Sequence, residues 1–296
     1  MTTSTMPGGD LAYDRATPAR APALSLRGLT KRYGDRVAVD DLTIDVPAGV
    51  VAGFVGPNGA GKTTTMAMLL GLARPTDGEG SVLGEPLRDP RAFLSRVGAL
   101  IETPAFYGGL TGAQNLAVVA AAGGRDAGEI GALLELVGLA GRGGDRFRGC
   151  SLGMKRRLGI AAALLGDPEL LILDEPLNGL DPAGIHEMRR LIGRLADGSR
   201  TLLISSHVLA ELDQVCDWLV VIDRGGLLYQ GPATDFGARA ATSIVAVPQH
   251  AGDLDRLQGL VARIAIDEGI ALTDLHARRP TLEERYLAIT NPGEDR

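Results

Sequence analysis

The sequence predicts an α/β fold: a mostly parallel sheet, an antiparallel β-unit ahead of it, and a helical insertion in its middle. Three observations carry that expectation. Short, mainly apolar runs recur at residues 50–55, 170–173, 201–205 and 219–223, as strands buried on both faces do. Helical stretches separate them. A glycine-rich segment, residues 56–61, joins the first such run to a helix, which is the layout that a phosphate site requires.

The elements follow in order. Residues 24–33 and 37–46 alternate as strands do, with Gly34-Asp35 as the turn between them. Residues 50–55 form a buried strand that ends at Gly56, and a helix is expected from Lys62 to about Ala73, stopped before Pro75. From about Thr103 to Asp167 the pattern turns helical. Thr111 and Gln114 make a capping box for a helix through Ala122, and residues 129–139 read as a second helix. Ser151 caps a third, with Leu158, Ala161, Ala162 and Leu165 as its apolar stripe and Lys155, Arg156 and Arg157 expected to face outward. Strands return at 170–173, 201–205 and 219–223. Further on, residues 243–247 read as a strand, 254–264 as a helix, and 281–289 as a final helix capped by Thr281 and Glu284. The expected organisation is a loose tail at 1–23, a main domain at 24–235 with its helical subdomain at about 103–167, and a small extension at 236–296. No internal repeat and no heptad pattern is visible.

Composition narrows the classes. The chain has 296 residues, 45% hydrophobic and 22% charged, enough for a sizeable core. Its net charge of −6 gives no general pull toward nucleic acid or anionic lipid, and no nucleic-acid partner is expected. The two cysteines, Cys150 and Cys216, form no CxxC pair and have no histidine cluster beside them, which argues against a disulfide scaffold or structural zinc and suits a reducing compartment. No stretch approaches the roughly 18 apolar residues of a membrane span, and the N-terminal segment lacks the apolar region of a secretory signal. The expected place is the cytoplasm, with any membrane role coming through a partner.

Two segments carry chemistry. Gly56-Pro57-Asn58-Gly59-Ala60-Gly61-Lys62-Thr63 is a full G-x-x-x-x-G-K-[ST] phosphate loop. Its glycines let successive backbone N–H groups turn inward around phosphates. Lys62 reaches the β- and γ-phosphates, and the Thr63 hydroxyl suits Mg²⁺. The second segment is Leu170-Leu171-Ile172-Leu173-Asp174-Glu175-Pro176. Its apolar residues bury a strand, Asp174 emerges at the carboxyl end to hold Mg²⁺, and Glu175 is placed to deprotonate a water that attacks the γ-phosphate.

With these residues in place, the sequence from about Leu24 to Pro232 resembles the ABC ATPase family. Ser151-Leu152-Gly153-Met154-Lys155 resembles the family's signature motif, which reaches the γ-phosphate held by the opposite subunit of a dimer. Asn178-Gly179-Leu180-Asp181 looks like its D-loop, His207 like its switch histidine, and Tyr33 like the aromatic that stacks on adenine, with Ala38 as a small neighbour. Each likeness is weak alone; their order and spacing around the phosphate loop and the Asp-Glu pair are specific. The resemblance implies a P-loop NTPase fold of ABC type and hydrolysis of ATP to ADP and phosphate. It assigns catalysis to Glu175 and His207. ATP binding would fall to Tyr33, Ala38, residues Gly56 to Thr63, Thr64, Ser151, Gly153 and Asp181, and Mg²⁺ to Thr63, Glu102 and Asp174. The implied partners are a second ATP-binding subunit, expected to be a copy of this chain, and a separate multi-span permease at the inner face of the cell membrane.

Two departures from the family pattern stand out. Cys150, Leu152 and Met154 replace the leucine, a glycine and the glutamine of the signature, and Glu102 stands where most relatives carry the Q-loop glutamine. Both departures, with Phe106-Tyr107 and Leu110-Thr111, resemble the branch of ABC exporters that includes bacitracin- and lantibiotic-resistance ATPases. A soluble ABC ATPase acting on ribosomes or DNA is the rival from another class, but such relatives usually carry two phosphate loops or long coiled coils. A small-molecule P-loop kinase would have no use for the signature-like helix.

Overall fold

The computed structural model describes residues 21–212, 215–236, 243–245 and 276–278. The chain opens with β1 (Leu24–Tyr33), β2 (Arg36–Val46) and β3 (Val51–Val55), followed by α1 (Lys62–Leu69), β4 (Asp77–Val82), β5 (Glu85–Pro86) and β6 (Val97–Leu100). The helical insertion holds α2 (Gly112–Ala122), α3 (Ile130–Leu136) and α4 (Leu152–Ala163). Then come β7 (Leu170–Leu173), α5 (Pro182–Leu195), β8 (Thr201–Ser206), α6 (Leu209–Leu212), β9 (Trp218–Asp223), β10 (Gly226–Pro232), β11 (Ser243–Val245) and β12 (His276–Arg278).

A four-stranded sheet runs in the order β2-β1-β4-β5, with every pair antiparallel. A six-stranded sheet runs β10-β9-β3-β8-β7-β6, parallel from β9 to β6, with β10 antiparallel at its edge. Strands of the large sheet serve two cores by alternation. Val51, Leu171, Leu173, Leu202, Ile204, Leu219 and Val221 face a core shared with α2, α4 and α5. Ala52, Phe54, Leu170, Ile172, Leu203, Val220 and Ile222 face the other, shared with β1, β2 and α1. Successive side chains point to opposite faces of a strand, so a strand covered on both sides must be apolar throughout. That is why these runs are continuous in the sequence.

The predicted turn at Gly34-Asp35 is present, and Gly34 sits at φ +57. Thr111 and Gln114 form the expected capping box, and Ser151 caps α4 by accepting from the Met154 N–H at 3.3 Å. Three expectations need correction. The helix at Lys62 ends at Leu69, not near Ala73, because Gly71 turns the chain at φ +67 before the proline is reached. The second insertion helix covers only Ile130–Leu136, with a short 3₁₀ turn before it and Gly138 (φ +73) after it. Arg156 does not face outward with its neighbours; it is buried, because α4 is covered on more than one side. The strand expected at 243–247 is present as β11, paired with β12. The helices expected at 254–264 and 281–289 lie outside the described residues, as does most of the N-terminal tail.

Candidate active site

Parallel strands place their carboxyl ends on one edge of the sheet, and the neighbours β3, β8, β7 and β6 each end there. Four loops therefore converge. After β3 comes the phosphate loop, after β8 His207, after β7 Asp174 and Glu175, and after β6 Glu102.

The phosphate loop is fixed by close backbone packing. Gly61 takes φ +106, and a methyl group built on it would stand 2.5 Å from the Ala38 carbonyl oxygen. Only glycine fits a position that is both left-handed and this crowded. The α1 N-terminus follows directly, with its N–H groups and partial positive charge directed at the loop. Lys62 is 5% exposed; its ammonium donates to the carbonyls of Gly56 (2.6 Å) and Pro57 (3.3 Å) and faces Glu175 Oε1 at 3.3 Å.

Asp174, 4% exposed, has both carboxylate oxygens engaged. Oδ2 accepts from the Thr63 hydroxyl at 2.9 Å, and Oδ1 accepts from the Ser205 hydroxyl at 2.5 Å. The same Ser205 oxygen accepts from the Glu175 N–H at 2.8 Å. Ser205 thus uses its one donor and one of its lone pairs to lock two consecutive acidic residues. Glu175 sits at φ +47, a conformation of order 1 kcal/mol unfavourable for a side chain of this kind, and the Ser205 bond helps to hold it there. The twist turns the Glu175 carboxylate between Lys62 on one side and His207 Nδ1 on the other, 2.6 Å from Oε2.

A pocket of about 210 Å³ opens over this network, bounded by Arg36, Ala38, Asn58, Gly59, Lys62 and Thr63, with Glu175 and Asn178 across from them. Gly61 and Thr64 also line it. Ala60 is buried beneath the loop, its N–H donating to the Pro57 carbonyl. The fit to a metal is good: a hydroxyl and a carboxylate oxygen in contact are the hard oxygen donors that Mg²⁺ prefers, and such sites complete themselves with phosphate oxygens and water. Among the described residues, no group of three or more His, Cys, Asp or Glu side chains is arranged to hold a metal unaided.

The other predicted site residues lie outside this network. Tyr33 stands at the end of the β1–β2 hairpin, 53% exposed, with the Lys31 ammonium 4.8 Å from its ring centre. Ser151 is exposed at the start of α4, and Asp181 caps α5 by accepting from the Gly184 N–H at 2.9 Å. The two segments touch: a methyl built on Gly179 would stand 3.1 Å from Leu152 Cδ2, and one on Gly153 would stand 3.8 Å from Leu180 Cδ2. The Glu102 side chain is exposed, its backbone is left-handed at φ +57, and its carbonyl accepts from Arg156. Sequence reasoning did not find Ser205, Arg36 or Arg156. Ser205 and Ser206 were visible as hydroxyls ending an otherwise apolar strand, and Arg36 as the residue paired with Tyr33 across the hairpin.

The ABC transporter family profile matches residues 39–178. The chain is 49% identical over 207 residues to the bacitracin transport ATP-binding protein BcrA of Bacillus licheniformis, covering 69% of this chain and 68% of that one. It is 40% identical over 207 residues to the lantibiotic transport ATP-binding protein SrtF of Streptococcus pyogenes, covering 70% and 90%. Among solved structures it resembles an ATP-binding subunit of an ABC transporter at TM-score 0.66 and 28% identity, over 90% of this chain and 99% of that one. The expected branch, with bacitracin and lantibiotic transport proteins in it, is the one in which these relatives stand. The phosphate loop, the paired acids and the family likeness agree: this chain belongs to the ATP-binding, ATP-hydrolysing proteins of the ABC transporter family.

Proposed function

We propose that the chain hydrolyses ATP with Glu175 as general base and so drives a separate multi-span permease that exports a peptide antibiotic or drug. The observation that carries the base assignment is the Glu175 carboxylate, held between Lys62 and His207 at the rim of the phosphate pocket. Lys62 and the backbone N–H groups of residues 59–63 hold the phosphates and neutralise charge that grows on them. Glu175 orients a water toward the γ-phosphate and takes its proton as the new P–O bond forms; the P–O bond to ADP breaks and phosphate leaves. His207 fixes the Glu175 carboxylate. Thr63 and Asp174 would hold Mg²⁺, Glu102 on the turn after β6 is proposed as a further donor, and the metal would supply positive charge at the phosphate oxygens.

The exposed signature serine supports a dimer. Ser151 lies on the surface, so Ser151 and Gly153 of one subunit would close over the ATP held by Lys62 of another, with a second copy of this chain as the partner. Among the described residues no helix is long and apolar enough to cross a membrane, which is in keeping with a subunit that docks on a permease at the cytoplasmic face. The names of the bacitracin and lantibiotic relatives support peptide antibiotics as cargo. Glu175→Gln keeps shape and removes the base; steady-state ATPase should fall at least about 100-fold while ATP still binds. Hydrolysis by that variant at the parental rate would remove Glu175 from the role.

A further inference from the structure

Among the described residues only three charged side chains are buried: Lys62, Asp174 and Arg156. The first two are in the ATP site. Arg156 is on α4, just over one helical turn past Ser151. It is 7% exposed, its Nη1 donates to the Glu102 carbonyl at 2.8 Å, and its Nε has no hydrogen-bond partner. Burial pulls the guanidinium below the usual arginine range, while the charges of Asp174 and Glu175 act in the opposite direction. A buried cation with a donor left over is a costly arrangement, and an apolar side chain of the same length would avoid the cost.

The packing around it is close. α4 lies directly on β6 because Gly159, one turn after Arg156, has no side chain: a methyl there would come within 2.6 Å of Pro104 Cγ and 2.8 Å of Leu100 Cδ1. β6 is also the strand whose Leu100 carbonyl accepts from the Asp174 N–H at 2.8 Å. The turn at residues 101–104 therefore lies between the helix that begins at Ser151 and the strand end that carries the acidic pair. Arg156 is the polar link across that junction.

We infer that Arg156 is a positioning residue of the ATP site: it ties the turn after β6 to α4, next to the strand end that carries Asp174 and Glu175. The tie runs to a main-chain carbonyl, so it does not depend on the acid at position 102. Through it, the turn and the helix that starts at Ser151 are held as one unit beside Glu175. The expected effect is on turnover, because Arg156 itself does not line the pocket over the phosphate loop. The inference rests on Glu175 being the base.

Arg156→Gln keeps a donor for the carbonyl and removes the charge; Arg156→Lys keeps the charge and loses the fork. ATPase kcat and ATP KM are measured with ADP affinity and the number of ADP sites per molecule, which counts folded protein. The expected order of kcat is Arg, then Lys, then Gln, with Gln lowered roughly tenfold and ADP affinity within about twofold of parent in both. Equal kcat per ADP site in all three proteins would overturn the proposal, as would ADP affinity falling in step with kcat. Should Arg156→Gln not fold, Arg156→Lys decides: a loss of about threefold or more with unchanged ADP affinity supports the role, and a parental kcat denies it. Glu175→Gln is run alongside. If it hydrolyses ATP normally the base assignment fails whatever Arg156 does; if it is inactive while the Arg156 variants are parental, the positioning role alone fails.

Discussion

Two regions of this chain bear on one reaction and are built in opposite ways. At the carboxyl edge of the large sheet the side chains around the phosphate loop are already engaged with one another: Lys62 with Glu175, Glu175 with His207, Thr63 and Ser205 with Asp174. At the start of α4 the signature serine is exposed and bonds only within its own helix, to the Met154 N–H. The first region is preorganised by neighbouring strands. The second offers a helix N-terminus and a hydroxyl to something that arrives from outside. On the proposed reading, the contrast separates machinery internal to the chain from a surface that a second subunit would complete.

The loss expected of Glu175→Gln is the largest, because it strikes the preorganised region at the base itself. The next test acts on both regions at once. Lys62→Ala and Ser151→Ala should each abolish most ATPase as single preparations. Mixing the two before assembly should restore about a quarter of the parental rate, because half of the dimers are mixed and each of those keeps one intact composite site. No recovery in the mixture, with both proteins folded, would mean that Ser151 does not act across subunits.

A smaller effect is expected where the nucleotide leaves the network. Tyr33 lies on the hairpin rather than in the pocket wall, so its contribution is stacking alone. Tyr33→Ala should weaken ATP roughly fivefold and Tyr33→Phe hardly at all, in line with about 1 kcal/mol for a ring contact. Equal affinities for both variants and the parent, in a direct binding titration, would exclude it from the adenine site.

The smallest effect belongs to a contact at the opposite end of the same strands. Arg96 and Glu169 pair at 2.6 Å beside the starts of β6 and β7, half in solvent. The Arg96 hydrogen bond holds the Glu169 carboxyl below the usual carboxylate range. A carboxyl depressed in the folded state contributes stability above its unfolded pKa and loses it as pH falls through the folded value. Glu169→Gln should therefore cost less than about 1 kcal/mol near neutrality, with the difference from parent vanishing in acid. Urea midpoints across pH 7 to 3 would show it; a gap that persists at the acid end would assign the effect to packing.

What could be read from the sequence follows the same division. The phosphate loop and the Asp174-Glu175 pair are legible because their chemistry is contiguous and flanked by unbroken apolar strands. The capping signals at Thr111 and Ser151 are local and were legible for the same reason. β4 was missed because Asp-Gly-Glu-Gly-Ser-Val has almost no strand propensity and gains its state by pairing with β1. α5 (Pro182–Leu195) was missed despite its clear amphipathic face, since the preceding Asn-Gly-Leu-Asp was read for its chemistry and not as a helix start. Arg156 was misplaced because three consecutive basic residues look like a solvated face. Only the close docking of α4 on β6, made at Gly159, shows that the middle one turns inward.

The strand order has a consequence for how the protein comes into being. β3, which ends in the phosphate loop, has β8 and β9 as its neighbours. The hydrogen bond from the Gly49 N–H to Thr201 spans 152 positions, and that from the Val51 N–H to Asp217 spans 166. A growing chain therefore exposes its phosphate loop long before the ribosome has made the strands that hold it. Folding of this region is non-local and waits on late synthesis. A nascent chain short of β8 has the loop but neither Ser205 nor His207 to set Glu175, so on the proposed mechanism its site is still incomplete.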